Sequence, residues 1–125
     1  MLSDKDAIVT IAVKDMKAAG RFYEGTLGLK PAPDAEPGAL VYKGGSGTIF
    51  VYESQYAGTN QATAITWIVG NDLDKIVKDL REKGVRFEHY DLPDTKREGD
   101  IHIAGDNKLA WFKDPDGNIH ALASG

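Results

Sequence analysis

The feature that most constrains the fold of this chain is a strand-and-helix pattern that occurs twice. Residues 7–13 are rich in β-branched and small apolar residues, and Asp15 follows with a carboxylate that can accept the free N–H groups of a first helical turn. Apolar residues then recur every three or four positions up to Gly28, which is typical of a helix ending at a left-handed glycine. A second β-rich run, residues 64–69, is followed in the same way by Asp72, a helical stripe and Gly84. The sequence therefore predicts two copies of one supersecondary unit.

Each copy also ends in a predicted strand–turn–strand segment. Residues 40–49 align with residues 110–119 without a gap. In the second segment Pro115 fixes one φ angle and Gly117 can take a positive φ, which together favour a tight hairpin. The second copy is longer, and its extra residues fall at about 91–107, where we expect an excursion from the sheet that serves as a lid, a dimer arm or a plain loop.

These patterns predict one α+β domain over residues 1–125, built from two strand–helix–strand–strand–strand repeats. The first repeat spans residues 6–54, a polar linker spans 55–62, and the second repeat spans 63–124. Neither repeat is large enough to bury both faces of its sheet. We therefore expect the repeats to pack together within a chain or across a dimer.

Charge and composition exclude several classes of partner. The chain has 15 Lys and Arg against 19 Asp and Glu, a net charge of −4, which argues against non-specific binding to nucleic acid. It has no cysteine, so disulfides and thiolate metal sites are excluded. The longest apolar run, residues 7–13, is far shorter than the roughly 20 residues of a membrane span. The acidic N-terminus is unlike a signal peptide, and we expect a cytoplasmic protein without a membrane partner.

Two stretches of the chain resemble a known family. The opening residues 13–16 (VKDM), 22–23 (FY) and 27–29 (LGL), and the closing residues 111–118 (WFKDPDGN), resemble the vicinal oxygen chelate superfamily. That superfamily includes glyoxalase I, bleomycin-resistance proteins and extradiol dioxygenases. The resemblance covers nearly the whole chain and implies paired βαβββ repeats whose curved mixed β-sheet forms a cleft. Since this scaffold carries lyases, isomerases, dioxygenases and pure binding proteins, it does not fix an activity.

The resemblance also implies where a metal would bind. Metal-dependent members take one His or Glu from the first and last strands of each repeat. The matching positions in this chain are Ile8, Val51, Ile65 and Ala121. All four are apolar, so we expect no metal at the usual site. The alternative is a displaced site for Zn, Ni, Mn or Fe, with donors drawn from His102, His120, Glu53 and Glu88.

If those four positions face the cleft, strand alternation brings further side chains to the same side. The predicted ligand-binding residues are Trp67, Trp111, Val51, Glu53, Thr10, Ile65, Ala121 and His102. Aliphatic walls, two tryptophans and one carboxylate suit an aromatic or cationic organic ligand. The same tryptophans could equally fill a core, and Glu53 could be a solvated acid at the sheet edge. His102, in the extra segment, is either a ligand contact or a plain loop residue, and His120 is expected to pack on the opposite face.

The function that these observations favour is metal-independent binding of a small organic molecule, in a homodimer that resembles the bleomycin-resistance proteins. The alternative is an enzyme, a glyoxalase-like lyase or isomerase that uses the displaced metal. A third possibility is a partner-binding module whose cleft is closed by the two tryptophans.

Overall fold

The computed structural model describes residues 1–33 and 38–125, which form two compact units, Met1–Gly58 and Thr59–Gly125. The boundary between the units lies inside the predicted linker. In the described part of the chain no helix is both long and apolar enough to cross a membrane.

The first unit is a three-stranded mixed sheet with one helical segment. Its elements are β1 (Val9–Val13), α1 (Met16–Gly20), a π-helix that continues α1 (Arg21–Thr26), β2 (Ala39–Gly44) and β3 (Gly47–Glu53). The strand order is β1-β3-β2, with β1 parallel and β2 antiparallel to β3. Within the described residues, the strand predicted after the helix is reduced to a single bridge between Pro31 and Tyr42. A proline has no N–H to give a ladder, which limits pairing at this point.

The ends of the first helical segment follow the sequence prediction. The side chain of Asp15 accepts hydrogen bonds from the backbone N–H groups of Lys17 at 3.0 Å and Ala18 at 3.1 Å. Gly28 has a φ of +74°, the left-handed conformation expected where the helical segment ends. The helical segment therefore begins and ends at the residues that the sequence marks.

The second unit has a longer sheet and one helix. Its elements are β4 (Thr63–Ile68), a 3₁₀ turn (Gly70–Asp72), α2 (Leu73–Glu82), β5 (Phe87–Glu88), β6 (Lys96–Glu98), β7 (Ile101–Ala104), β8 (Asn107–Lys113) and β9 (Ile119–Ala123). The strand order is β4-β9-β8-β7-β6, and β5 also pairs with β8. β4 is parallel to β9, and every other pair in this sheet is antiparallel.

The extra segment of the second unit differs from the prediction. Residues 91–95 are irregular, but residues 96–107 stay in the sheet, because β6 and β7 form a hairpin and β7 pairs with β8. The segment thus extends the sheet, and it brings His102 of β7 opposite Leu109 of β8. This pairing matters for the site, since it fixes His102, which is fully buried, against β8.

One face of each sheet packs against a helix, and we call it the helix face; the other is the open face. In the first unit Tyr23 of the π-helix stacks on Tyr42 of β2 with ring centroids 6.0 Å apart, and both are fully buried. In the second unit the buried side of α2, which carries Leu73, Val77 and Leu80, packs on the side of β8 that carries Phe112. The predicted α+β fold class is confirmed.

The turn between β8 and β9 is organised by a buried carboxylate. Asp114 is 4% exposed and accepts hydrogen bonds from the backbone N–H groups of Asp116 at 3.0 Å and Asn118 at 2.8 Å, and from Asn118 Nδ2 at 2.8 Å. Gly117 takes a φ of +92° and its N–H donates to the Asp114 carbonyl at 3.0 Å. The predicted turn chemistry is confirmed, and the carboxylate adds an anchor for the hairpin.

Replacing this carboxylate should destabilise the fold. Asp114→Ala leaves the N–H groups of Asp116 and Asn118 without their acceptor, and we expect a loss of about 3 kcal/mol in the free energy of unfolding. Ser46→Ala, in the exposed turn of the first hairpin, is the matched control and should change it by less than about 0.5 kcal/mol. Urea unfolding followed by circular dichroism measures both, and equal effects would contradict the anchoring role.

Candidate functional site

The two hairpins differ by one residue in their turns, and this difference decides which side chains share a face. In the first hairpin Lys43 pairs with Thr48. In the second, Lys113 pairs with Ile119, so the turn that follows the lysine is one residue longer. A one-residue change of register moves every side chain of the following strand to the other face of the sheet. The gap-free alignment of the two repeats is therefore wrong beyond the turns.

The structural counterpart of Ala121 is Phe50. Ala121 of β9 pairs with Trp111, as the sequence predicts, while Phe50 of β3 pairs with Val41, the residue that matches Trp111. Phe50 thus occupies the position that the gap-free alignment gave to Val51. Ala121 and Trp111 lie on the open face of the second sheet, and Phe50 lies on the open face of the first.

The residues predicted from the first repeat lie on two different faces. Val51 pairs with Ile11, is 0% exposed and lies on the helix face, so its predicted place in a cleft is wrong. Thr10 pairs with Phe50 on the open face and is exposed. Glu53 is exposed at the end of β3, which agrees with the alternative of a solvated acid at the sheet edge.

The residues predicted from the second repeat are also divided. Ile65 pairs with His120, and Trp67 pairs with Leu122, so both lie on the helix face, away from Ala121. Their predicted place beside Ala121 is wrong because the 3₁₀ turn Gly70–Asp72 separates β4 from α2, whereas β1 runs almost directly into the cap of α1. Positions matched by their distance from Asp15 and from Asp72 therefore fall on opposite faces of their sheets.

Trp67 belongs to a cluster on the helix face, with His120 and Phe112. The Trp67 Nε1–H donates to His120 Nδ1 at 3.0 Å, and the two rings are nearly parallel, with centroids 6.3 Å apart. The other neighbour, Phe112, stacks on His120 at 4.9 Å. His120 is 0% exposed, and burial lowers its pKa to about 4. The expectation that His120 packs on the opposite face from Ala121 is confirmed.

The open face of the second sheet carries a different group of rings. Trp111 of β8 meets His102 of β7 edge-to-face, with centroids 4.8 Å apart, and meets Tyr90 edge-to-face at 5.2 Å. The backbone N–H of Tyr90 donates to His102 Nε2 at 3.0 Å, which holds the imidazole in place. We call Tyr90, His102 and Trp111 the aromatic cluster. Of the predicted ligand-binding residues, it unites Trp111 and His102, with Ala121 beside Trp111.

Tyr90 is the member of the aromatic cluster that sequence reasoning missed. Residues 87–90 (FEHY) contain a signal for it, because strand alternation puts Glu88 and Tyr90 on one face. In the structure Glu88 pairs with Trp111, which locates that face. The pairing of β7 with β8, which brings His102 to the same place, has no comparable signal in the sequence.

The aromatic cluster is electrically neutral near pH 7. Burial is the main cause that lowers the pKa of His102, although backbone groups of Leu109 and Asp100 act in the opposite direction. Since Nε2 accepts from Tyr90, the proton of the neutral ring lies on Nδ1, which has no partner of good hydrogen-bond geometry in the described part of the chain. Burial raises the pKa of Tyr90, and nearby Glu88 adds to this effect. Since His102 is fully buried, the cluster offers a ligand the partly exposed rings of Trp111 and Tyr90 and the neutral Tyr90 hydroxyl.

The charged groups next to the cluster compensate each other. Glu88 Oε1 lies 3.2 Å from Lys113 Nζ, an ion pair formed by partly exposed side chains. A carboxylate already paired with an ammonium attracts a cationic ligand less than a free one does. The open face thus suits a flat, uncharged ring better than a cation.

The open faces do not fit the metal site that the family resemblance implies. Predicted Ile8 precedes β1 and is exposed. The open-face residues of β1, β3, β4 and β9, among them Thr10, Phe50, Thr66 and Ala121, include no imidazole and no carboxylate. Among residues 1–33 and 38–125, no three His, Asp or Glu side chains lie close enough together to hold a metal ion. For the displaced site, His102 and His120 lie on opposite faces of the sheet and cannot share one ion.

Comparison with known proteins identifies the family. Residues 7–122 match the sequence model of the Glyoxalase/Bleomycin resistance protein/Dioxygenase superfamily. The chain belongs to this superfamily. The resemblance inferred from its opening and closing motifs is confirmed, whereas no curated protein has a significant match to the chain.

Solved structures share the superfamily fold at low sequence identity. The fosfomycin resistance protein FosX from Listeria monocytogenes has a TM-score of 0.72 and 14% identity, with 95% of this chain and 91% of that chain covered. FosX from Mesorhizobium loti has a TM-score of 0.70 and 12% identity, covering 98% and 92%. A glyoxalase family protein from Enterococcus faecalis has a TM-score of 0.71 and 20% identity, covering 98% and 99%. At these identities the similarity concerns the fold alone.

The buried His120 should make stability depend on pH. Its pKa is about 4 in the folded protein against an ordinary value of 6.5, so between these values the unfolded chain binds a proton that the folded protein does not. The contribution of His120 to the free energy of unfolding should therefore be fully present above pH 6.5. It should decrease by about 3 kcal/mol as the pH is lowered towards 4. Urea unfolding at pH 7, 5.5 and 4.5 measures the decrease.

His120→Phe should remove most of that decrease, whatever its effect on stability at pH 7. Val77→Ala is the matched control, because it destabilises the buried side of α2 without removing a titratable group. It should keep the pH dependence of the wild type. An unchanged pH dependence in His120→Phe would show that this histidine is not buried in its neutral form.

Proposed function

We propose that the chain binds a small, neutral aromatic molecule on the open face of its second sheet, without a metal ion. The observation that carries this proposal is the aromatic cluster, in which Tyr90 and His102 hold the partly exposed Trp111 edge-on. A ring held in this way gives a ligand a fixed surface to stack on, at little cost in side-chain entropy.

The surroundings of Trp111 favour a flat ligand. In register with Trp111, the neighbouring strands carry Ala121 and then Thr66, both small side chains, and Thr66 is exposed. Small residues beside an indole leave room for a second ring to lie against it. The hydroxyl groups of Thr66 and Tyr90 can orient a polar substituent.

Two further observations support binding without a metal. The open-face residues at the strands that would hold the superfamily's metal are hydroxyl-bearing, aromatic or small apolar residues, which are poor ligands for a divalent transition metal. The superfamily's name includes bleomycin resistance proteins, and the structural neighbours include proteins named for fosfomycin resistance. We infer the same general role, recognition of a small molecule, in a homodimer. The lyase or isomerase alternative would need metal donors that the open faces lack.

The proposal predicts that aromatic probes perturb one of the two tryptophans. In ¹H–¹⁵N NMR spectra recorded with EDTA, indole or 2-naphthol should shift the Nε1–H signal of Trp111 in a saturable way. The Nε1–H group of Trp67 is hydrogen-bonded to His120, and its signal should shift little. Trp111→Leu should weaken binding of the probe at least tenfold.

Trp67→Phe is the matched control, since it removes the other tryptophan from the helix face, and it should bind within about twofold of the wild type. Saturable shifts of the Trp67 signal alone would place the binding site on the helix face and would contradict the proposal. Binding that requires added Zn²⁺ or Ni²⁺ would overturn the metal-free proposal and favour the glyoxalase-like alternative.

A further inference from the structure

A second site lies in the same unit, where α2 ends and β5 begins. There a cleft of about 570 Å³ is lined by residues that include Arg81, Gly84, Arg86, Phe87, His89 and Asp100, and we call it the edge cleft. No member of the aromatic cluster is among its described lining residues. Its volume lies within the range of small-molecule sites, about 300–1,000 Å³.

The charges of the edge cleft are mainly positive. Arg81 and Arg86 line it with a histidine, His89, against one carboxylate, Asp100. A third arginine, Arg97, is close, since its Nη1 lies 3.4 Å from His89 Nε2. This concentration of arginine is local, because the chain as a whole has a net charge of −4.

The single carboxylate positions part of the cationic lining. Asp100 is mostly buried; its Oδ2 lies 3.3 Å from Arg81 Nη1 and its Oδ1 lies 2.8 Å from His89 Nε2. The two contacts use different oxygens, so one acid holds both partners. A guanidinium has five N–H donors, and this ion pair uses one nitrogen of Arg81. Arg86 forms no ion pair with any described residue, so no carboxylate there compensates its positive charge.

The C-terminal end of α2 carries a partial negative charge, which the arginines of the cleft have to outweigh. The carbonyl oxygens of Leu80 and Arg81 accept hydrogen bonds from the N–H groups of Val85 and Gly84, each at 3.0 Å, so they are not left bare towards the cleft. Gly84 has a φ of +91°, and a Cβ built there would meet no described atom within 4 Å. At Gly84 the cleft is therefore lined by backbone atoms, with no described side chain close beside them.

We propose that the edge cleft binds a small phosphate-bearing anion. Arginine is the side chain that matches phosphate best, because its planar fork can donate two parallel hydrogen bonds to two oxygens. Arg86 and the remaining donors of Arg81 supply this geometry, and the Phe87 side of the cleft can accept an apolar part of the ligand. The edge cleft shares no described lining residue with the aromatic cluster, so phosphate binding there is tested independently of the proposed function.

The test is a titration of the whole chain with sodium phosphate, followed by ¹H–¹⁵N NMR at constant ionic strength. Saturable shifts are expected for the backbone N–H signals of Gly84, Arg86 and His89. Arg86→Gln should weaken phosphate binding at least tenfold. Lys78→Gln is the matched control, because it removes one positive charge from an exposed position of α2, outside the cleft. It should bind within about twofold of the wild type.

Two results would overturn the proposal. Equal weakening by Arg86→Gln and Lys78→Gln would show that phosphate responds only to net charge. Acetate that binds as tightly as phosphate at the same ionic strength would show that the cleft recognises negative charge without preference for a tetrahedral anion. Dispersed amide signals in both variants establish that they are folded, so that either result can be interpreted.

Discussion

The pairing of β8 with β9 is the constraint on which the rest of the second unit depends. It sets Trp111 opposite Ala121 and Phe112 opposite His120, and alternation then sends the first pair to the open face and the second to the helix face. The turn that fixes this register is closed by the buried Asp114. A shift of β9 by one residue would carry His120 to the open face and Ala121 to the helix face, and would separate His120 from Phe112.

Each face has a histidine whose protonation is fixed by one accepted hydrogen bond. His120 accepts at Nδ1 from the indole of Trp67, while His102 accepts at Nε2 from the backbone of Tyr90. In both cases burial favours the neutral ring. Neutral imidazoles on separate faces stabilise ring packing, and they do not form a pair that could hold a metal ion.

Local chemistry was predictable from the sequence, and strand register was not. The cap at Asp15, the left-handed glycines and the turn at Gly117 follow from side-chain chemistry within a few residues. The predicted cap at Asp72 is wrong in its chemistry, because Asp72 precedes α2 without a side-chain capping hydrogen bond. The faces of Val51 and Trp67 depend on turns whose lengths differ by one residue between the repeats, and sequence similarity hides such differences. The partners of His102 and Tyr90 depend on a hairpin, β6–β7, which has no counterpart in the first repeat.

The most direct test of this account is the tautomeric state of the two histidines, measured by long-range ¹H–¹⁵N NMR at pH 7. The structure predicts opposite tautomers. His120 should carry its proton on Nε2, since Nδ1 accepts from Trp67, and His102 should carry its proton on Nδ1, since Nε2 accepts from Tyr90. The same tautomer in both rings, or a positive charge on either, would contradict the register that separates the two faces.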